Sequence, residues 1–117
     1  MIIKKNSDVS EEFLNKEGMN NVIKKILIGP EEGSENIILR HFRVLPGGNS
    51  PYHTHKHEHV VNVEKGKGKI VDGKGQETLI SEGQSLFIKG NEKHQFKNPF
   101  QNPFEFLCII LNPDKNG

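Results

Sequence analysis

The residues with the clearest chemical potential lie between positions 47 and 66, where the chain reads Gly-Gly-Asn-Ser-Pro-Tyr-His-Thr-His-Lys-His-Glu-His-Val-Val-Asn-Val-Glu-Lys-Gly. Four of the six histidines fall in this stretch, and His53, His55 and His59 are separated by even numbers of residues. On an extended strand even offsets share one face, because side chains alternate with period two and residues two apart rise about 6.6 Å. Neutral imidazoles converging on one face point to a metal ion. Imidazole suits Mn, Fe, Ni, Cu or Zn, so ligand type alone does not choose the ion.

Which element carries these histidines decides whether they converge. His55 and His59 are also four apart, a spacing at which a helix presents both on one side. Pro51 and the Gly47-Gly48 pair break a helix upstream, and the β-branched Val60, Val61 and Val63 favour a strand downstream. The rest of the chain reads the same way. Residues 22–28 form an extended run closed by Gly29-Pro30, and residues 36–45 run into Pro46-Gly47-Gly48. Residues 60–63, 67–71, 76–80, 85–89, 94–98 and 104–111 follow as short extended segments separated by turn residues. Asp72-Gly73 marks a hairpin, since both positions accept positive φ. Pro113 and Gly117 mark a frayed end.

Residues 1–20 carry little periodicity, and Ser10 with Glu11 and Glu12 offers an N-cap and an acidic first turn for one short helical turn over 10–14. The pattern therefore predicts an N-terminal arm over residues 1–20 and a single all-β domain over 21–117, a barrel or sandwich without a long helix.

The histidine spacing carries more than a cluster. It runs Gly47, five residues, His53-x-His55, three residues, His59, six residues, Gly66. After a further 16 residues comes Gly83, five residues, Lys89, one residue, Asn91, two residues, His94, three residues, Asn98. These two segments resemble the two motifs of the cupin superfamily in order and separation. Three positions depart from the usual pattern: His59 stands where a glutamate is usual, Lys89 where proline is favoured, and Asn91 where glycine is favoured. The resemblance spans about residues 36–111 and is nearest to small bacterial cupins that carry a fourth histidine in place of the glutamate.

That resemblance implies a double-stranded β-helix, a jelly-roll-like barrel, whose mouth holds one divalent transition metal ion on His53, His55, His59 and His94. Glu58 competes for the third place, since a bulge can turn its carboxylate inward, while parity and the spacing to Gly66 favour His59. His41 and His57 are expected outside the ligand set, His57 because its parity is read as wrong for the ligand face. Four neutral imidazoles leave the ion's charge uncompensated, which favours an anionic ligand at its open positions. Octahedral coordination leaves two such positions, for substrate or dioxygen.

Tyr52, Phe42, Phe96, Phe104 and Phe106 are candidates for an apolar wall around the ion, with ordinary core as the alternative for each. Arg40 and Arg43 can bind a carboxylate, although exposed arginines usually do nothing specific. Cys108, flanked by Leu107, Ile109 and Ile110, is expected to be buried and inert.

Composition narrows the partners. A length of 117 residues suits one domain, and 16 basic against 15 acidic residues leave no electrostatic footprint for nucleic acid. No apolar run approaches the roughly 20 residues of a membrane span. The N-terminal Met1-Ile2-Ile3-Lys4-Lys5-Asn6 lacks the apolar region of a signal peptide, so a cytoplasmic protein is expected. The single cysteine excludes an internal disulfide. Small cupins commonly pair through their sheets, which implies a homodimer, with Ile2-Ile3 or residues 22–28 extending a partner's sheet.

Three functions fit these residues. The leading expectation is a small-molecule oxidoreductase of the dioxygenase type, holding an enolate-like or aromatic substrate beside dioxygen. A non-redox isomerase, epimerase or lyase needs a base within reach, and Glu58, Glu64 and Tyr52 are poorly placed for that task. A metal-dependent binding module without turnover is the third.

Overall fold

Alternation of apolar and polar residues at period two dominates the chain, and the computed structural model of the protein, which describes residues 1–116, contains nine strands. They are β1 (Glu12–Lys16), β2 (Met19–Ile28), β3 (Ile37–Asn49), β4 (His59–Lys65), β5 (Lys67–Val71), β6 (Glu77–Ser81), β7 (Ser85–Ile88), β8 (Gln95–Lys97) and β9 (Phe104–Leu111). All pairings are antiparallel. The strands form one curled, barrel-like sheet in the order β6-β5-β8-β3-β9-β4-β7, with β2 also paired to β3 and β1 paired outside β2.

The register explains what fills the barrel. In β9, Phe104, Phe106, Cys108 and Ile110 are buried and alternate with Glu105, Leu107, Ile109 and Leu111, which face outward. Cross-strand pairing aligns Ile38, Ile110, His59 and Ile88 in one inward row, then Arg40, Cys108, Val61 and Leu86 in the next. Phe42, Phe106 and Val63 follow, with Val44 beside Phe104 beyond them. Val61 and Phe104 are fully buried, each contributing about 1.5–3 kcal/mol of transfer free energy relative to exposure. The interior is thus apolar at one end and carries an arginine and a histidine toward the other.

Three local expectations give way to tertiary pairing. The stretch 10–14 does not coil: the chain makes a 3-10 turn at Asn6–Asp8, and β1 pairs Phe13 with Ile23 and Leu14 with Val22. A single helical turn satisfies few backbone groups, whereas the strand joins an existing ladder and packs Leu14 against the core. β3 does not end at Leu45 but continues through Pro46-Gly47-Gly48 to Asn49. The register of β2 on β3 shifts between Asn20 and Val22, and a Cβ on Gly48 would lie 2.8 Å from the carbonyl oxygens of Asn20, Asn21 and Leu45. The β5–β6 hairpin is present, but its positive φ falls at Gly75. Asp72 shapes it by accepting hydrogen bonds at Oδ1 from the backbone of Lys74 and Gln76, at 2.9 and 3.0 Å.

At the C-terminal side a short helix, α1 (Pro113–Asn116), is capped by Asn112, whose Oδ1 accepts the Asp114 N–H at 3.0 Å. Gly117, the end of the frayed tail expected above, lies outside the described residues. Among the described residues no helix is long and apolar enough to cross a membrane.

Candidate metal centre

The histidines come from three segments of different kinds. β3 delivers the chain to the barrel mouth, and residues 50–58 cross it as an irregular loop. Backbone pairing holds this loop down. His53 exchanges N–H···O=C bonds with His94 at 3.2 and 3.1 Å, and Ser50 Oγ accepts the Phe96 N–H at 2.8 Å. His94 immediately precedes β8, and His59 opens β4, facing inward beside Ile88 and Ile110.

His55, His59 and His94 each offer a ring nitrogen, and these atoms lie within 4.8 Å of one another. Their ring centroids are 5.0–5.6 Å apart. His53 stands at the margin, its ring 4.1 Å from that of His55 and 6.1 Å from that of His94. The three tightly gathered histidines are therefore the part of the expected four-histidine set that the geometry brings together most closely.

His94 Nδ1 lies 2.8 Å from the Glu92 carbonyl oxygen. Donating there puts the ring proton on Nδ1 and leaves the Nε2 lone pair free, the second-sphere arrangement that orients metal-binding histidines. His59 is 5% exposed, and its Nδ1 is buried without a protein partner. Burial foremost, then His94 and Arg40, pushes the His59 pKa down to about 3. Burial and then His53 lower His55 to about 4, and burial lowers His53. These rings are neutral at pH 7, the form in which imidazole ligates a metal. An all-nitrogen donor set with one orphaned buried nitrogen fits a divalent transition ion.

Glu58 is exposed, so its carboxylate does not compete with the inward His59. Parity does not separate His57 from the other three histidines, since all four share it; the bend at Lys56-His57 does. The His57 ring stacks on His55 at 4.7 Å and stands 4.8 Å from His59, and with His55 and Glu58 it lines a groove that includes neither His59 nor His94. His41 is on the outer face of β3, its Nε2 3.2 Å from Glu105 and 3.5 Å from Glu64.

Beside the cluster lies a cavity of about 230 Å³ lined by all four expected ligands. Of the five aromatic residues expected around it, Phe42, Phe96 and Phe106 line it, with Phe106 stacked on both of the others. Tyr52 and Phe104 are not among the lining residues. The Tyr52 hydroxyl donates to the Asp72 carbonyl under the Lys93 ammonium, and Phe104 is buried where a Cβ on Gly68 would strike its ring.

Seven further lining residues escaped the sequence reading: Leu14, Met19, Val22 and Lys24, brought in by β1 and β2, Val44 from β3, and Ser50 and Pro51 just after it. The alternation of Val22 with Lys24 was the available signal, but a lysine in an inward position reads as a surface residue until the sheet has closed. Arg40 also lines the cavity, whereas Arg43 is held by Glu11 at 2.9 Å. Cys108 is buried and accepts a hydrogen bond from Arg40 Nη2 at 3.1 Å. Burial raises its pKa against the opposing pull of Arg40, keeping it a thiol.

Residues 40–110 match the Cupin_2 cupin domain family. The chain is a cupin. Over 72 residues this cupin is 35% identical to the 1-methylthio-D-xylulose 5-phosphate methylsulfurylase of Rhodospirillum rubrum, a match covering 62% of this chain and 46% of that protein. The cupin thus spans about half the length of that curated relative. The polyketide cyclase RemF of Streptomyces resistomycificus superposes with a TM-score of 0.90 at 26% identity, over 96% of this cupin and 80% of the cyclase. A cupin-2 domain protein of Rhodospirillum rubrum superposes with a TM-score of 0.80 at 26% identity, over 95% and 74% of the two chains. A predicted oxalate decarboxylase of Thermotoga maritima, 22% identical, shares the fold with a TM-score of 0.82 over 94% and 98% of the chains.

Proposed function

We propose that this cupin is a metal-dependent enzyme acting on a small, anionic, enolisable molecule, with one divalent transition ion held by His53, His55, His59 and His94. The observation that carries this reading is the character of the cavity. Its polar lining combines the histidine cluster with Arg40 and Lys24, and no Asp or Glu is among its lining residues. When bound, the ion supplies a Lewis acid for a substrate oxygen.

The chain's own residues supply the rest. Neutral imidazoles hold the ion, and the Phe42, Phe96 and Phe106 rings exclude water and seat the apolar body of the substrate. Lys24 gives the cavity a group able to move a proton. Burial foremost, then the charge of Arg40, holds its ammonium pKa below the usual lysine range. This group, together with likeness to a cyclase, favours non-redox chemistry. The all-imidazole donor set also suits Fe, Mn or Cu, which keeps the dioxygenase as the second reading.

One experiment separates them. Protein purified without added metal is analysed for its elements, then incubated with a panel of β-diketones and sugar-phosphate ketones in heavy water, under argon and in air. Deuterium incorporation or rearrangement under argon supports the Lewis-acid reading. Oxygen uptake matched by product gaining oxygen supports the dioxygenase. Saturable binding with neither overturns both in favour of a binding module.

A homodimer and a cytoplasmic location complete the proposal. Over residues 19–24 the outer edge of β2 is covered by β1. Ile2 and Ile3 remain exposed, and a further surface suited to a second copy is the exposed row of Phe87, Val60 and Ile109 across β7, β4 and β9. Light scattering should return twice the chain mass, and Phe87→Glu should return the monomer; a monomeric wild type would rule the dimer out.

A further inference from the structure

We propose that Arg40 is the anion anchor of the cavity, so that the ligand is a small two-ended molecule whose carboxylate or phosphate meets the Arg40 guanidinium while a second oxygen reaches the histidines. The second half of this statement rests on the metal-dependent reading above; the first does not.

The register places the two ends. Arg40 pairs with Cys108 in the inward row adjacent to the one that contains His59. Adjacent inward rows are one pleat period apart, about 7 Å. A ligand spanning them therefore needs only a short skeleton between its two polar ends. The cavity of about 230 Å³ agrees with that, lying below the range of about 300–1,000 Å³ typical of drug-sized sites.

The guanidinium is held but not neutralised. Nη2 donates to Cys108 Sγ at 3.1 Å, and Cζ stands 5.0 Å from the centre of the Phe42 ring. Nε is buried without a partner. Among the described residues no carboxylate lies within ion-pair distance of Arg40, whereas Arg43, three residues along the same strand, is paired with Glu11. A thiol is a weak acceptor, so most of the five N–H donors of Arg40 have no strong protein acceptor. A partly buried cation lacking a counter-charge is an unfavourable arrangement for the protein alone, and an anion offsets it.

Lys24 strengthens the same end. It pairs across β2–β3 with Phe42, the next inward position after Arg40, and lines the same cavity. No carboxylate ion-pairs with it among the described residues, although Glu12 is its partner in the β1–β2 register. Glu12 offsets part of the Lys24 charge, but no Asp or Glu lines the cavity itself. Two cations there describe a subsite for a carboxylate or phosphate, and the planar guanidinium fork favours bidentate contact with either.

The test uses the full chain stripped of metal with a chelator and titrated calorimetrically, at constant ionic strength, with inorganic phosphate and with malonate. Wild type should bind one or both saturably, and the tighter of the two names the headgroup. Arg40→Gln should weaken that binding tenfold or more, Lys24→Gln a few-fold, and Arg43→Gln not at all. Where Arg40→Gln does not fold, Arg40→Lys decides, since it keeps the charge and removes the fork; at least a threefold loss is expected. Unchanged affinity in the Arg40 variants, or no saturable binding of either anion by wild type, overturns the proposal. Zinc stoichiometry is measured on the same samples. Anion binding that depends on Arg40 in a protein that takes up no zinc would sink the metal-dependent reading and leave the Arg40 assignment standing.

Discussion

At the scale of single residues, the departures from the motif have local causes. Asn91 holds a left-handed φ of 66°, the conformation that makes glycine the usual choice there and that asparagine also tolerates. Lys89 donates its backbone N–H to Glu92 Oε1 at 3.0 Å, a bond that proline cannot make. Asn98, 1% exposed, uses Nδ2 to reach the carbonyls of Val44 and Asn102 at 2.8 Å and accepts the Phe100 N–H at Oδ1. Asn98→Ala should therefore cost about 3 kcal/mol, because buried backbone groups lose their partners; urea unfolding measures it.

The histidines make the metal-free protein sensitive to acid. Between the ordinary histidine pKa of 6.5 and the folded values of about 3 for His59 and about 4 for His55, the unfolded chain binds protons that the folded chain refuses. Stability is then fully present above pH 6.5 and falls as pH is lowered toward 3. Arg40, His94, His57 and His55 face His59 and all oppose its protonation. The Tm of metal-free protein should drop steadily from pH 7 to pH 4, and His59→Gln should flatten that slope; a flat wild-type profile would contradict the assignment. His94→Ala should abolish metal uptake in elemental analysis.

At the scale of elements, the histidine stretch was read as a strand, but His53 and His55 lie in a loop pinned by backbone bonds to the segment around His94, and only His59 stands on a strand. Alternation in sequence cannot tell a strand from an irregular crossing whose partners lie 40 residues away. The turn between β4 and β5 was legible, because Gly66 has φ +72 and a Cβ there would lie 2.4 Å from the Pro103 carbonyl oxygen. Gly66→Ala should destabilise by about 2–4 kcal/mol through backbone strain and displacement of the 98–103 loop, read by chemical denaturation. β1 was missed for a related reason: its pairing with β2 is worth nothing to an isolated peptide.

At the scale of the whole molecule, the candidate ligands come from the mouth loop, β4 and the approach to β8, so metal binding ties together parts of the barrel far apart in sequence. Zinc at a hundred times its dissociation constant should stabilise the folded protein by about 2.7 kcal/mol, with a matching rise in Tm reversed by chelator. An unchanged Tm with zinc bound would mean that the unfolded chain holds the ion equally well.

The sequence by itself determined the all-β class, the cupin motifs and three of the histidines that gather, because strand periodicity, turn residues and short spacings are local properties of the chain. Only the tertiary structure decided that Lys24 and Arg40 share a cavity with those histidines, that Tyr52 and Phe104 stand outside it, and that Glu58 faces solvent. These outcomes depend on the register between strands distant in sequence, which sets the row each side chain joins and whether a charge meets a partner or is left facing a ligand.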